Sequence, residues 1–348
     1  MRPSQTTAIR TATQILGTIV GLTTAVRAGR WLWKYTWLPQ RPLGRRLADR
    51  YGHGSWALIT GASDGLGKAL AQDLAQCGFN LVLVSRTQAK LDRLREALEP
   101  MGVSIRVVCA DLSNTSDSTY ELVAASTTDI DLAIVVNCVG VTIHGRYADI
   151  PPAAVRNLID LNVTTTAMVT RTTLPALLDH AARTGRRAAL LDVGSIVGRF
   201  NWPGTQLYGA SKAFVDHLTV PLGYEYRDQL DVLSFQPTAM STAMAAGTEP
   251  AVITITPEAA ARAALSHLGR YRTSHGHWRH GLLASVFQIL PAELRNRVLF
   301  NQALGMAEAE RAKERSASGT LTGKTEPLEQ SFPAHSAPGQ APRRNASR

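Results

Sequence analysis

A phenol and an ammonium stand four residues apart in Tyr208-Gly-Ala-Ser-Lys212. On a helix this spacing sets both side chains on one face, where the lysine charge favours the phenolate and draws the tyrosine pKa toward working pH. A tyrosine tuned in this way can trade protons. The same pair reads as an ordinary solvated helix pair when it stands alone, so its company matters. Ser195 lies thirteen residues upstream, just past the apolar run Ala188–Val193. Far upstream, Gly61-Ala-Ser-Asp-Gly-Leu-Gly67 follows a second apolar run.

That glycine turn, with Gly61, Ser63, Asp64, Gly65, Leu66 and Gly67, suits a pyrophosphate. Its glycines let the backbone bend and come close, and the helix starting near Leu66 offers its positive N-terminus. The spacing is not the usual G-x-G-x-x-G, and an ordinary strand-to-helix loop is the competing reading. The second apolar run ends in Ser85-Arg86, where an NAD-binding chain would carry an acid for the ribose hydroxyl. An arginine there favours a 2′-phosphate, hence NADP(H). Lys90, one turn on, reads as a solvated helix face or as a helper to Arg86. Asp111 and Leu112 follow the third run and suit an adenine edge, with a helix cap as the alternative. Asn137 and Gly140 follow the fourth, the glycine allowing close passage of the backbone past a cofactor.

The elements that must position these residues alternate regularly from Ser55 onward. Strands are expected at Trp56–Thr60, Leu81–Ser85, Ile105–Cys109, Leu132–Val136, Ala188–Val193 and Val232–Gln236. Helices fit between them at Leu66–Cys77, Gln88–Leu98, Ser116–Ala124, Ala153–Leu177, Tyr208–Tyr226 and Pro257–Leu268. Short apolar runs in βα succession make an α/β fold with one doubly wound parallel sheet, a Rossmann fold, whose ligands bind beyond the strands' carboxyl ends.

The net charge of +10 is uneven, because residues 1–50 hold nine Lys or Arg against the single Asp49. The rest is nearly balanced, which argues against a nucleic-acid partner. The three cysteines, Cys77, Cys109 and Cys138, lie in or beside apolar segments and read as core residues in a reducing compartment. Between Arg10 and Arg27 run sixteen uncharged residues, a helix of about 24 Å against roughly 30 Å of bilayer hydrocarbon. Next, Trp31, Trp33 and Trp37 are interleaved with Arg27, Arg30, Lys34 and Arg41, the composition of a headgroup-level segment. Residues 10–45 are therefore expected to contact a membrane surface, as an interfacial helix or a short anchor, with packing on the domain or on a second subunit as the alternative.

Taken together, Thr60-Gly-x-x-x-Gly-x-Gly67, Asp111, Asn137-x-x-Gly140, Asn162, Ser195, Tyr208-x-x-x-Lys212 and Pro237 resemble the short-chain dehydrogenase/reductase family in order and spacing, over about Ser55 to Leu268. Gly52-x-Gly-x-Trp56 and Gly276-His-Trp-Arg-His-Gly281 are most similar to the membrane-bound branch of very-long-chain 3-ketoacyl-CoA reductases and 17β-hydroxysteroid dehydrogenases. The resemblance implies that Tyr208 donates a proton to a substrate carbonyl oxygen, that Ser195 hydrogen-bonds that oxygen, and that Lys212 tunes Tyr208 and holds the nicotinamide ribose. It further implies that Asn162 holds a water linking Lys212 to solvent, and that Pro237 and Thr242 touch the cofactor. Three positions depart from the family pattern: Cys138 stands for a second Asn, Gly194 for a Ser, and Thr238 for a frequent Gly.

Specificity is expected in the less patterned parts. Thr238–Thr254 reads as an apolar lid containing Met240 and Met244, and Arg199–Gly204 as an aromatic wall or as core packing. Asp192 reads as an acceptor for backbone donors, and His275, His277 and His280 as a surface cluster without a metal. Leu282–Leu290 is short for a span and reads as membrane-facing or dimer-facing. The expected organisation is a basic, Trp-rich membrane-associating segment at 1–50, a catalytic domain at 51–275, a helical extension at 276–315 and a disordered tail at 316–348. The expected activity is NADPH-dependent interconversion of a ketone and a secondary alcohol on a hydrophobic substrate, an acyl thioester or a sterol, at the cytoplasmic face of a membrane. A catalytically silent NADP(H)-binding scaffold is the other reading.

Overall fold

The computed structural model describes residues 5–38, 42–241 and 253–321. Seven parallel strands are ordered β3-β2-β1-β4-β5-β6-β7, with β1 Trp56–Thr60, β2 Asn80–Ser85, β3 Ile105–Cys109, β4 Leu132–Asn137, β5 Ala188–Val193, β6 Leu230–Phe235 and β7 Thr273–Ser274. Six match the sequence expectation within two residues. The seventh was not foreseen: two residues, pairing Thr273 with Ser234 and Ser274 with Phe235, are too short to leave a periodic signal.

Alternate residues of each strand enter two different cores, as a period of two requires. Ala57, Ile59, Leu81, Leu83, Leu233 and Phe235 pack in one layer with α3 (Gly65–Gln76), α4 (Gln88–Leu98) and α9 (Pro257–His267). Leu58, Val82, Val84, Val135, Leu190 and Val232 pack in the other with α5 (Asp117–Ala125) and α7 (Thr165–Thr184). The expected long helix is interrupted. It comprises α6 (Pro152–Ile159), a π-helical turn over Asp160–Thr164, then α7. The helix carrying Tyr208 and Lys212 is α8 (Gln206–Glu225).

At the N-terminus, α1 (Gln5–Leu32) leaves Ile15, Leu16, Ile19, Val20, Leu22 and Val26 exposed, and among the described residues no helix is long and apolar enough to cross a membrane. A π-helical segment, Trp33–Trp37, then grips the sheet's far edge: Tyr35 is buried, and the Lys34 carbonyl accepts from His267 Nε2 at 2.7 Å. After it, α2 (Gly44–Tyr51) is fastened through Asp231, which accepts from Arg50 Nε at 2.5 Å, Tyr51 Oη at 2.9 Å and Arg187 Nε at 2.7 Å.

Beyond the sheet lie α10 (Trp278–Ile289) and α11 (Ala292–Leu321), the latter running past the Ser316 at which a disordered tail was expected. Residues 322–348 of that tail lie outside the described residues. Met1–Ala307 forms one compact unit, and Glu308–Arg348 a second, whose described part is the helical stretch to Leu321.

The histidine cluster corrects a sequence expectation. His275 and His280 are buried rather than at the surface, and only His277 is partly exposed. His275 Nδ1 donates to the Gln236 carbonyl at 3.1 Å, while His280 accepts from Thr238 N at 3.3 Å and donates to the Ile253 carbonyl at 3.0 Å. His280 thereby joins α10 to the loop after β6, and His275 ties the segment after β7 to the end of β6. Among the described residues no His, Cys, Asp or Glu group could hold a metal.

Candidate active site

The strand order reverses between β1 and β4, so the loops after these strands diverge and leave a crevice at their carboxyl ends. A cavity of about 400 Å³ occupies it. The glycine turn lines one side, with Gly61, Ser63, Asp64, Gly65, Leu66 and Gly67 all at its wall. Gly61 has a φ of +66°, and a Cβ on Gly67 would sit inside the van der Waals surface of the Gly61 carbonyl oxygen. Only glycine lets the start of α3 lie against the turn, which leaves a cradle of backbone N–H groups at a helix N-terminus. Asp64 caps that helix, accepting from Gly65 N at 2.8 Å and from Lys90 Nζ at 2.9 Å. The Lys90 contact, with the Gly65 N–H, lowers the Asp64 pKa.

Arg86, Asp111 and Leu112 line the far end of the cavity. Asp111 Oδ1 accepts from Ser113 N at 3.0 Å and Ser113 Oγ at 2.7 Å, and these bonds lower its pKa. Ser85, not singled out from sequence, ties β2 to the turn through a 2.8 Å contact between its Oγ and Ser63 Oγ. Only strand register brings these two hydroxyls together.

At the other end Ser195, Tyr208, Lys212 and Pro237 line the same cavity, with Gly140 between the two halves. Ser195, two residues past the end of β5, caps a 3₁₀ turn, accepting from Val197 N at 3.3 Å and donating to the Pro237 carbonyl at 3.4 Å. Lys212 lies one turn beyond Tyr208 in α8, its Nζ 5.8 Å from the Tyr208 ring centroid and donating to the Val193 carbonyl at 2.8 Å. Burial lowers its pKa to about 8, against the opposing pull of Cys138 and Asp192.

Two expected site residues have their side chains engaged by protein groups, and a third lies outside the described residues. Asn137 is buried away from the cavity, its Nδ2 donating to Thr170 Oγ1 at 3.0 Å and Asp192 Oδ1 at 2.8 Å. Asn162 is fully buried within the π-helical turn, and its amide is engaged by protein groups: Oδ1 accepts from Val141 N at 2.8 Å, and Nδ2 donates to the Val141 carbonyl at 2.9 Å and to Ser211 Oγ at 3.0 Å. Both amide protons are used, so Asn162 holds the loop after β4 against α8. Thr242 lies outside the described residues, as does most of the expected lid; Thr238 and Met240 of it line the cavity.

Asp192 also differs from expectation. Its donors are side chains, Asn137 Nδ2 at 2.8 Å and Thr219 Oγ1 at 2.6 Å, and burial raises its pKa to about 6. The aromatic segment 199–204 resolves toward core packing. Trp202 joins Ile196, Ala284 and Leu299 in a third apolar cluster, its Nε1 donating to the Leu299 carbonyl at 3.0 Å. Sequence reasoning passed over Val139, Val141, Leu161 and Val193, which make much of the cavity wall. As ordinary apolar residues, in the loop after β4, in the π-helical turn and at the end of β5, they carry no chemical signal.

The short chain dehydrogenase family model matches residues 55–252. The very-long-chain 3-oxoacyl-CoA reductase of Anas platyrhynchos is 33% identical over 252 residues, covering 71% of this chain and 79% of that protein. Among solved structures, a 7β-hydroxysteroid dehydrogenase aligns with a TM-score of 0.64 at 26% identity, over 73% of this chain and 98% of its own. A short-chain dehydrogenase from Sphingobium yanoikuyae in complex with NADPH aligns with a TM-score of 0.55 at 30% identity, over 61% of this chain and 84% of its own.

Proposed function

From the premise that the chain belongs to the short-chain dehydrogenase family and is an oxidoreductase working between ketones and alcohols, we propose that it uses NADPH to reduce a hydrophobic ketone of the long-chain 3-oxoacyl thioester class. The observation that carries this reading is a single cavity lined at one end by Arg86 and the glycine turn, and at the other by Ser195, Tyr208 and Lys212.

The cradle left by Gly61 and Gly67 fits a pyrophosphate, and Arg86 offers a cation where a ribose 2′-phosphate would lie. A bound dinucleotide would supply the hydride to the carbonyl carbon. Tyr208 would give its phenolic proton to the carbonyl oxygen, with the Ser195 hydroxyl hydrogen-bonded to that oxygen as negative charge develops. Lys212, held by the Val193 carbonyl and 5.8 Å from the Tyr208 ring, would bind the ribose. Val139, Val141, Leu161 and Met240 give the wall an apolar character suited to a fatty chain.

A membrane contact through residues 10–45 is part of the proposal. The exposed apolar residues of α1, together with exposed Trp33 and Trp37, support a helix lying in the interface. Nine basic residues among the first fifty would add attraction to an anionic, cytoplasm-facing leaflet.

The test is turnover of NADPH against long-chain 3-oxoacyl thioesters, 3- and 17-ketosteroids and retinal, followed by absorbance of the reduced cofactor. Reduction of the thioesters is expected, and Tyr208→Phe should lower kcat by about 10² to 10⁴-fold while NADPH still binds. Turnover unchanged by Tyr208→Phe would remove the mechanism; turnover confined to steroids would remove the substrate class.

A further inference from the structure

A second cavity, of about 210 Å³, lies where the N-terminal segment meets the edge of the sheet, and it shares no lining residue with the catalytic one. Trp31, Lys34, Arg199, Thr273, Ser285 and Gln288 bound it. Close packing builds it. The Tyr35 ring lies on Gly281 of α10, where a Cβ would come within 2.8 Å of two ring carbons.

Two cations meet there without an acid. Lys34 Nζ donates to the Thr273 carbonyl at 3.0 Å and lies 4.4 Å from the centroid of the Tyr271 ring, which leaves further N–H groups for the cavity. Arg199, exposed in the turn after Ser195, brings a guanidinium. No carboxylate lines the cavity, and none pairs with either cation among the described residues. Burial, and then the charge of Arg199, lower the Lys34 pKa to about 8, the behaviour of a cation lacking its counter-ion.

We propose that this cavity binds a phosphate group, either the headgroup phosphate of a lipid or a soluble phosphate ester. A planar arginine fork beside a lysine point charge, with the Gln288 amide at the rim, is a donor set for tetrahedral oxyanions. A lipid is within reach. Trp33 and Trp37 stack 6.4 Å apart on the π-helical segment that supplies Lys34, and α10 exposes Leu282, Val286 and Ile289. A phosphate seated here would restore the full charge of Lys34 and fasten the N-terminal segment to the edge of the sheet.

The experiment uses the full chain in two arms. One titrates inorganic phosphate and glycerol 3-phosphate by calorimetry; the other measures flotation with phosphatidylcholine vesicles with and without phosphatidic acid. Binding is expected in at least one arm, and Arg199→Gln should weaken it about ten-fold, since charge-assisted bonds of this kind are the strong ones. Lys34→Met is the second variant, read only if its melting temperature matches that of the parent. Binding to vesicles alone assigns the site to a headgroup; binding of the soluble ions alone assigns it to an ester. Absence of binding in both arms overturns the proposal. So does vesicle binding that Arg199→Gln leaves intact, an outcome under which the membrane reading of residues 10–45 still stands.

Discussion

Asn162 and Val141 exchange two hydrogen bonds, Val141 N to Asn162 Oδ1 at 2.8 Å and Asn162 Nδ2 to the Val141 carbonyl at 2.9 Å. An amide side chain thereby behaves as a strand neighbour to the loop after β4, next to Gly140. A Cβ on Gly140 would come within 3.1 Å of Asn162 Oδ1 and 3.3 Å of Lys212 Nζ, so one crowded spot governs both the loop and the ammonium.

Asn162→Ala should therefore destabilise the fold as well as slow turnover. It leaves a partly buried N–H and carbonyl unpaired, at about 1 to 3 kcal/mol per group. Thermal melting would detect this without substrate. A variant with parental stability and lowered kcat would return Asn162 to the water-holding role implied by family resemblance.

Arg86→Ala should weaken NADPH more than NADH, because only the former presents a phosphate to the guanidinium. A charge-assisted pair contributes about 1.5 to 3 kcal/mol, so roughly ten-fold or more is expected in the ratio of dissociation constants. Equal losses for the two coenzymes would remove the phosphate contact.

Lys212 titrates near 8 because burial disfavours its charged form. The ammonium is present below that pH and lost above it, so kcat/KM for NADPH should fall as pH rises through about 8. In Lys212→Arg the side chain stays charged, and any residual activity should lose this limb. A limb that persists in the variant would belong to another group.

The buried imidazoles set the acid limit of stability. Burial lowers the pKa of His267 to about 3, and of His275 and His280 to about 4. The unfolded chain takes up protons near pH 6.5 that the folded chain refuses, so stability is full above that pH and declines as pH falls toward 4. At pH 5 each imidazole should withdraw about 2 kcal/mol. Denaturant midpoints at pH 7 and pH 5 would measure the loss, and His280→Gln should make it smaller.

The strands were legible because each is a short apolar run ending where chemistry begins, as Ala188–Val193 runs into Ser195 and Trp56–Thr60 into Gly61. The Tyr208-to-Lys212 spacing fixed their shared helical face before any packing was known. What the sequence could not reveal is what each polar side chain meets across the fold. Asn137 and Asn162 have the right types at the right spacings, yet strand order and the π-helical turn give their side-chain amides protein partners, and Asp192 meets side-chain donors in place of the expected backbone ones. The same holds for His275 and His280, two polar residues close together in sequence: in the fold His275, just after β7, bonds the Gln236 carbonyl, and His280 bonds α10 to Thr238 and Ile253. The pairing of Lys34 with Arg199 depends on a π-helical segment meeting the edge of the sheet, 165 positions apart in the chain. Periodicity and spacing are local properties and can be read along a chain; burial and charge environment arise from contacts between distant segments, and tertiary packing alone decides them.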